Sequence, residues 1–210
     1  MSEPDETIIG GIKTCEDWRV FRANLIPGRD PTSWETAFSE FFRPRLQTRY
    51  LGPIETLQRH DTNQGEGFSI VTILCTLIEF LESTVQGKKY RWVAKDSELG
   101  PNEYRNSGQV FVDFLTNRQP FRQCFTDVNL AWEFYKNVRC SLLHEARTKG
   151  GWRIRACGPP KTIADTNLRI LYRNTFHVAI LEFVEWYGLA LISDVNFQNA
   201  FTRKFNDLCE

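Results

Sequence analysis

The stretch over residues 68–82 constrains the fold most, because it is apolar on nearly every side of a helix. Its sequence, FSIVTILCTLIEFLE, reaches its first acidic residue only at Glu79. Such a helix must be surrounded by other elements, which predicts the centre of a helical bundle. This stretch is too short to span a bilayer, and a second apolar stretch over residues 176–192 is interrupted by Glu182 and Glu185. We therefore interpret both as buried helices of a protein without a membrane partner.

Length and composition allow one sizeable domain. The chain has 210 residues, of which 41% are hydrophobic and 16 are phenylalanine, enough for a large core. The formal net charge is zero, so general binding of polyanions by the whole surface is not expected. The 6 cysteines are scattered without a CxxC pair, and no apolar stretch follows the polar residues 1–6 as a signal peptide would require. We expect a reducing, cytoplasmic location.

Apolar periodicity and helix breakers predict an all-α bundle of about five to six helices. Residues 1–32 are expected to form an irregular arm packed on the body, in which Ile8, Ile9 and Ile12 can form a short strand, and residues 33–210 a single helical domain. Residues 152–156 alternate apolar and charged side chains, and residues 162–164 can return as a second strand, so we predict a small β-hairpin insertion. The main helices are expected over residues 33–51 with a kink or break at Pro44, 68–86, 107–117, 127–146 and 167–192, with further short helical segments over residues 54–59 and 196–210.

Helix caps can be assigned to three of these helices. Ser33 can cap the first, Asp127 or Asn129 the helix over residues 127–146, and Asp165 or Thr166 the longest.

Residues 135–146, with the sequence YKNVRCSLLHEA, place Arg139 and His144 at the end of a predicted helix. The apolar positions 132, 135, 138 and 142 form one helical stripe that can pack inward. Arginine keeps its charge and binds phosphate through a planar fork, whereas histidine titrates near neutrality. The pair therefore suits phosphate chemistry, although the same residues are also typical of a solvated helix end.

Other chemistries have weaker support around this pair. Cys140 and His144 are spaced to share a metal ion or to form a nucleophile and its base, but no third ligand or orienting residue can be named. His144 and Glu145 begin a zincin-like motif that lacks its second histidine. The sequence has no phosphate-binding loop and no dinucleotide fingerprint. We expect neither a metal nor another cofactor.

Positive charge is concentrated around the Arg139/His144 pair. Residues 136–173 carry nine lysines and arginines against Glu145 and Asp165, a net charge of +7, which leaves −7 on the rest of the chain. Such a local field attracts a polyanion. Trp152 offers a ring on which a base can stack. The candidate RNA-binding residues are Lys136, Arg147, Lys149, Trp152, Arg153 and Arg155; a basic surface without a ligand is the alternative.

The string VRCSLLHEA over residues 138–146 resembles the motif of the HEPN family, the higher eukaryote and prokaryote nucleotide-binding domains. That motif is an arginine, a spacer of four to six residues and a histidine at the end of a helix. The sequence LIEFLE over residues 77–82 is similar to the acidic end of the family's core helix. The resemblance covers roughly residues 68–190.

The resemblance implies a helical bundle and a metal-independent ribonuclease whose site forms across a homodimer, often in toxin–antitoxin or antiviral defence systems. Arg139 and His144 are then the catalytic residues. The supporting residues are Glu79 or Glu82, which can orient the arginine, together with Cys140 and Ser141. RNA is the expected substrate, and an antitoxin or another partner protein is a further expectation.

One departure from the family pattern favours a second interpretation. Family members usually carry a polar residue directly after the arginine, and here Cys140 takes that position. A thiol is a weak hydrogen-bonding group. The alternative is a catalytically inactive HEPN-like module that binds RNA, nucleotide or a partner protein, and a third possibility is a purely structural helical protein.

Overall fold

The computed structural model describes residues 7–62 and 65–210, and it confirms a predominantly α-helical bundle with a small β insertion. The α-helices are Cys15–Arg22 (α1), Pro31–Ala37 (α2), Arg43–Leu46 (α3), Gly52–Arg59 (α4), Glu66–Gln86 (α5), Ser107–Asn117 (α6), Val128–Phe134 (α7), Ser141–Glu145 (α8), Arg173–Ser193 (α9) and Val195–Asp207 (α10). Three wider π turns connect neighbouring helices. They are Phe38–Phe42 between α2 and α3, Gln47–Leu51 between α3 and α4, and Tyr135–Cys140 between α7 and α8.

The two longest helices, α5 and α9, correspond to the two apolar stretches of the sequence. Each is 21 residues long and, by length and composition alone, long and apolar enough to cross a membrane. In their most apolar windows, 61% of the α5 residues and 50% of the α9 residues are buried within the chain. Burial of this extent is typical of core helices in a bundle.

The prolines in the first helical region do not end it. We expected a kink or break at Pro44 and an end at residues 52–53. Helix continues over residues 31–59, so the break and the end are wrong, and the kink stays a prediction. The backbone N–H of Arg43 bonds to the carbonyl of Phe38, five residues back. Gly52, directly before Pro53, bonds in the same way to Gln47. The wider turn before each proline accommodates a ring that would clash with the carbonyl four residues back in a regular α-helix.

The described strands are short and form separate small sheets. Ile8–Gly10 (β1) and Lys13–Thr14 (β2) form an antiparallel hairpin, so the N-terminal arm contains regular structure followed by α1. Lys89–Tyr90 (β3) and Glu103–Tyr104 (β4) pair in parallel within a region that we expected to be a loop. The remaining strands are Arg153–Arg155 (β5), Ala164–Asp165 (β6) and Ile170–Tyr172 (β7).

The β insertion is a three-stranded sheet rather than a hairpin. The two predicted strands are present as β5 and β6, but they do not pair with each other. Instead, β5 pairs with β7 in parallel, and β6 pairs with β7 in the antiparallel direction. We expected residues 170–172 to lie in the long helix. All three are buried, which suits a central strand.

The predicted caps have mixed outcomes. The side chain of Asp127 caps α7, as expected. The first helix starts after Asp30 rather than at Ser33. The long helix starts at Arg173, and Asp165 instead accepts a hydrogen bond of 2.8 Å from the backbone of Leu168 in the turn between β6 and β7.

The residues cluster into two compact units. One comprises the chain up to Pro53 with Ser83–Arg105 and Trp186–Glu210. Within it, the Trp18 ring lies 5.2 Å from that of Phe205. The single domain proposed for residues 33–210 stays a prediction.

The second unit comprises Ile54–Glu82 and Asn106–Glu185 and contains the predicted catalytic motif. Its core is built from rings on α6, α7 and α9, with Phe114 at 4.7 Å from Phe183 and Phe134 at 6.3 Å from Phe176. This packing fixes the helix that carries the motif.

Candidate active site

Arg139 lies in the π turn Tyr135–Cys140 and is held from two directions. Its Nη2 donates a hydrogen bond of 3.4 Å to Oε2 of Glu79 on α5. Its guanidinium carbon lies 5.4 Å from the centre of the Tyr135 ring, within cation–π range. Nε is buried and has no hydrogen-bond partner among the described residues. The guanidinium therefore has a fixed position and unused hydrogen-bonding capacity.

Arg139 is the cationic partner that we predicted for Glu79. The Glu79 side chain is 21% exposed and that of Arg139 is 17% exposed. A carboxylate on a central helix is costly unless it is paired, and this ion pair supplies the pairing. Of the two acidic residues considered, Glu79 is therefore the one that orients the motif arginine.

Glu82 has a different structural role. Both of its carboxylate oxygens accept hydrogen bonds of 2.8 Å from Arg118, which follows α6. Glu82 is only 1% exposed. The prediction that it supports Arg139 is wrong, because its bidentate partner is Arg118.

His144 lies in the short helix α8 directly after the π turn, and its side chain is exposed. Ala146 ends this helix with a left-handed conformation at φ 54°. Within the described residues, His144 has no hydrogen bond or ion pair, so its imidazole is accessible for proton exchange with a ligand or with solvent. Leu143 beside it is 45% exposed.

Cys140 and Ser141 lie between the two motif residues. Ser141 is buried, and its hydroxyl donates a hydrogen bond of 3.0 Å to the backbone carbonyl of Lys136. The hydroxyl is therefore a structural group of the turn, and its role as a supporting site residue stays a prediction. The Cys140 side chain is half-buried.

Tyr135 and Cys75 lie close enough to Arg139 to respond to its charge. Burial raises the pKa of Tyr135, a hydrogen bond with Ser107 and the charge of Arg139 lower it, and Cys140 raises it. Burial raises the pKa of the Cys75 thiol to about 12, against an opposing effect of Arg139. Cys75 thus stays protonated and apolar near neutral pH, which leaves Glu79 as the acidic group with which Arg139 forms an ion pair.

The segment after the motif is basic, but part of its charge is neutralised. Glu145 forms ion pairs with Arg147, at 3.2 Å, and with Lys149. The hydrogen bond with Lys149 is the main reason why the pKa of Glu145 is lowered. The backbone N–H of Lys149 also bonds to the carbonyl of Asn137 at 2.8 Å, which ties this segment to the motif turn. Lys136 is exposed.

Of the three remaining candidates for RNA binding, two are exposed and one is buried. Arg153 and Arg155 on β5 are exposed, as a nucleic-acid surface requires. Trp152 is only 3% exposed, and its ring packs 5.1 Å from that of Phe134. The prediction of a stacking surface at Trp152 is wrong, because the hydrophobic core buries both faces of the indole that a base would need.

Sequence reasoning missed Arg118 as the partner of Glu82 and the Tyr135 ring as the second contact of Arg139. Tyr135 stands four residues before Arg139, a helical spacing that predicts contact. Its hydroxyl lies 3.2 Å from that of Ser107 at the start of α6. No local pattern connects either Ser107 with Tyr135 or Arg118 with Glu82, because each pair joins distant parts of the chain.

The site has a limited chemical repertoire. Within residues 7–62 and 65–210, no three His, Cys, Asp or Glu side chains are grouped as metal ligands. What the motif region does offer is an oriented guanidinium on one side and an accessible imidazole on the other.

Comparisons with protein-family models, with curated proteins and with solved structures find no match for this chain. The resemblance to the HEPN family therefore depends on the motif residues and their surroundings, and membership of that family stays a prediction.

Proposed function

We propose that the protein is a metal-independent endoribonuclease of HEPN type, with Arg139 and His144 as its catalytic residues. One observation carries the proposal. The motif arginine is oriented by Glu79 from the central helix, while the motif histidine is exposed and has no partner among the described residues. A merely solvated helix end would not need a guanidinium fixed in this way.

Arg139 supplies the electrostatic part of the reaction. Its guanidinium can hold a phosphodiester by charge-assisted hydrogen bonds and stabilise the charge that develops on the phosphorane. Glu79 and the Tyr135 ring reduce its conformational freedom before RNA binds. A preorganised donor of this kind lowers the barrier without reorganising during the reaction.

His144 supplies the proton transfer. It takes the proton of the ribose 2′-hydroxyl as this oxygen attacks the phosphorus, and the bond from phosphorus to the 5′-oxygen breaks. A protonated imidazole donates to that leaving oxygen. The products are a 2′,3′-cyclic phosphate and a free 5′-hydroxyl, so atoms and charge balance without an added cofactor.

A homodimer resolves two difficulties of this mechanism. One histidine cannot be base and acid in the same step, and five positions along a regular helix rotate Arg139 away from His144 by about 140°. Two copies of residues 139–144 that meet at a two-fold axis provide both groups. The exposed Leu143 next to His144 supplies apolar surface for such a contact.

The RNA strand is expected to contact the exposed cations on either side of the motif. Lys136, Arg153 and Arg155 are exposed and have no ion-pair partner among the described residues. Arg147 and Lys149 contribute less, because both are paired with Glu145. A toxin or antiviral defence effector of the cytoplasm, controlled by an antitoxin or another partner protein, is the setting in which such an enzyme is expected.

The second candidate is a catalytically inactive HEPN-like module that binds RNA, nucleotide or a partner protein. Cys140 favours it, because the thiol follows the arginine where a polar group usually stands. Where the inactive module binds RNA, it is expected to use the same surface as the nuclease and to differ only in turnover.

Incubation of the purified protein with end-labelled RNA in excess EDTA separates the two candidates. The nuclease should cut the RNA and leave 2′,3′-cyclic phosphate ends, and a His144→Ala preparation purified in parallel controls for contaminating ribonuclease. Stable binding without cutting, with or without divalent metal ions, would favour the inactive module and overturn the proposed activity.

A further inference from the structure

A small cavity lies at the start of α5, at the opposite end of that helix from Glu79. It measures about 130 Å³ and is lined by Gly67 and Phe68 of α5, Ile154 and Arg155 of β5, and Arg173 at the start of α9. Pockets for drug-sized ligands measure about 300–1,000 Å³, so this cavity suits a single small group. Twelve residues of helix, about 18 Å, separate Gly67 from Glu79.

Arg173 presents a buried cation to this cavity. It is only 4% exposed, and Asp61 forms an ion pair with its Nη2. Its Nε is buried without a hydrogen-bond partner among the described residues. A Cβ atom added at Gly67 would lie 3.1 Å from Nη1, so this nitrogen faces the first turn of α5. A buried guanidinium with unsatisfied donors is costly unless a ligand completes its hydrogen bonding.

Two further features make the cavity attractive to an anion. Arg155 lines it, and its side chain has no hydrogen bond or ion pair within the described residues. Gly67 and Phe68 in the first turn of α5 line it as well, so the positive end of the helix dipole lies at the cavity. The acidic groups on this side are Asp61, which Arg173 neutralises, and Glu66, which accepts a hydrogen bond of 3.1 Å from the backbone N–H of Thr62.

We propose that this cavity is a phosphate-binding site, in which Arg173, Arg155 and the start of α5 hold one phosphate group. The cavity volume accommodates the tetrahedral group but no nucleoside, so any base and sugar attached to the phosphate lie outside it. The site contains no residue of the Arg139/His144 motif, so it does not depend on the proposed nuclease activity, and it shares only Arg155 with the expected RNA-binding surface.

Calorimetric titration of the full-length protein with inorganic phosphate, at constant ionic strength against chloride, tests the site. Arg155→Gln should weaken phosphate binding by about tenfold or more, the effect of removing one charge-assisted hydrogen bond. Gly67→Ala should weaken it at least as much, because the added methyl group would lie 3.1 Å from Nη1 of Arg173 and 3.4 Å from the Ile154 side chain. Alanine forms helix better than glycine, so this variant should remain folded.

Arg153→Gln is the matched control, because it removes the same charge from the same strand at a residue that does not line the cavity. It should bind phosphate like the wild type, and so should His144→Ala, which separates this test from that of the nuclease. A 2′-O-methyl oligonucleotide with a 5′-phosphate, compared with the same strand ending in a 5′-hydroxyl, shows whether the bound group is terminal on a nucleic acid or free phosphate. Equal weakening by Arg153→Gln and Arg155→Gln, or no binding of either probe by the wild type, would overturn the site.

Discussion

At the scale of single residues, the position of Arg139 is the most informative feature of the candidate active site. A cation on a helix surface usually samples many rotamers, and here an acidic group and an aromatic ring restrict it. The Glu79 carboxylate uses one nitrogen of the guanidinium and leaves Nε unsatisfied.

Replacing Arg139 with lysine tests whether this planar fork matters. Lysine keeps the positive charge and can still pair with Glu79, but an ammonium group cannot bind phosphate through two parallel donors. We expect cleavage to fall by about 100-fold or more, the typical effect of losing a transition-state donor, with little change in the melting temperature. Arg22→Lys, at an exposed residue of α1 outside the motif and outside the expected RNA-binding surface, should cleave like the wild type. Full activity of Arg139→Lys would show that charge alone suffices.

His144→Ala tests the proton-transfer residue. The imidazole is exposed and makes no hydrogen bond within the described residues, so its removal should leave the unfolding free energy nearly unchanged. General acid–base catalysis contributes about 100- to 10,000-fold, so the loss of cleavage should be large. His60→Ala is the control, because His60 is also exposed and lies outside the motif. A His144→Ala protein that unfolds more easily would instead assign this histidine a structural role.

The buried His177 should make stability depend on pH. It is 5% exposed, its Nε2 has no partner among the described residues, and burial lowers its pKa from 6.5 while Glu55 acts in the opposite direction. Below about pH 6.5 the unfolded chain takes up a proton at this histidine that the folded protein resists. The unfolding free energy should therefore decrease as the pH is lowered. The fall is at most about 1.4 kcal/mol per pH unit.

Urea unfolding between about pH 7.5 and 5.5 measures this dependence. His177→Leu should lose that part of the slope, whereas His60→Ala should keep it. Equal slopes for His177→Leu and the wild type would contradict the assignment to His177.

At the scale of elements, α5 carries Glu79 of the candidate active site and lines the proposed phosphate cavity at its other end, and the sequence predicted this helix well. A run that is apolar on all sides has few alternatives to the centre of a bundle. The sequence left open whether Glu79 or Glu82, at the end of this helix, pairs with Arg139. The structure pairs Glu79 with Arg139 and Glu82 with Arg118. Those partners are 60 and 36 residues away in the chain, beyond the reach of helical periodicity.

Strand pairing in the insertion was predictable only in part. The alternation over residues 152–156 indicates a strand, and β5 is there. Its partner β7 has an apolar sequence, Ile170–Tyr172, that continues directly into the apolar helix α9. A short apolar run at a helix start is compatible with strand or helix, so only tertiary contacts decide. The burial of Trp152 by Phe134 follows from the same packing and could not be inferred locally.

The ion pair between Glu82 and Arg118 should contribute more to stability than the pair between Glu79 and Arg139. Glu82 is 1% exposed and forms two hydrogen bonds with Arg118, whose side chain is 22% exposed, so Glu82→Gln leaves a partly buried cation without its counter-charge. Breaking such a pair typically costs about 3–5 kcal/mol. Thermal and urea unfolding of Glu82→Gln should show this loss. Glu182→Gln, an exposed position on α9, is the control and should be nearly neutral; a similarly small change for Glu82→Gln would show that the pair is dispensable.

At the scale of the whole molecule, a neutral chain carries a strongly basic segment, and the proposed mechanism requires two copies of it. The net charge of +7 over residues 136–173 opposes the approach of two such segments unless apolar contacts or bound RNA offset the repulsion. Dimerisation should therefore be stronger at moderate salt than at low salt. Light scattering at micromolar concentration measures this, and a strict monomer at every salt concentration would contradict a shared site.

Mixed dimers test whether the two motifs act together. Wild-type and His144→Ala chains are unfolded, combined in equal amounts and refolded, so that subunits pair at random. If each site needs both histidines, only the wild-type pairs are active, and activity should fall to about one quarter of that of an equal total amount of wild-type protein. If each subunit works alone, activity should fall to about one half, the share of wild-type chains. Refolding wild-type protein with the His60→Ala variant controls for losses in the procedure. A value of one half, measured together with an intact dimer, would confine the reaction to a single subunit and require a second proton-transfer group in the same chain.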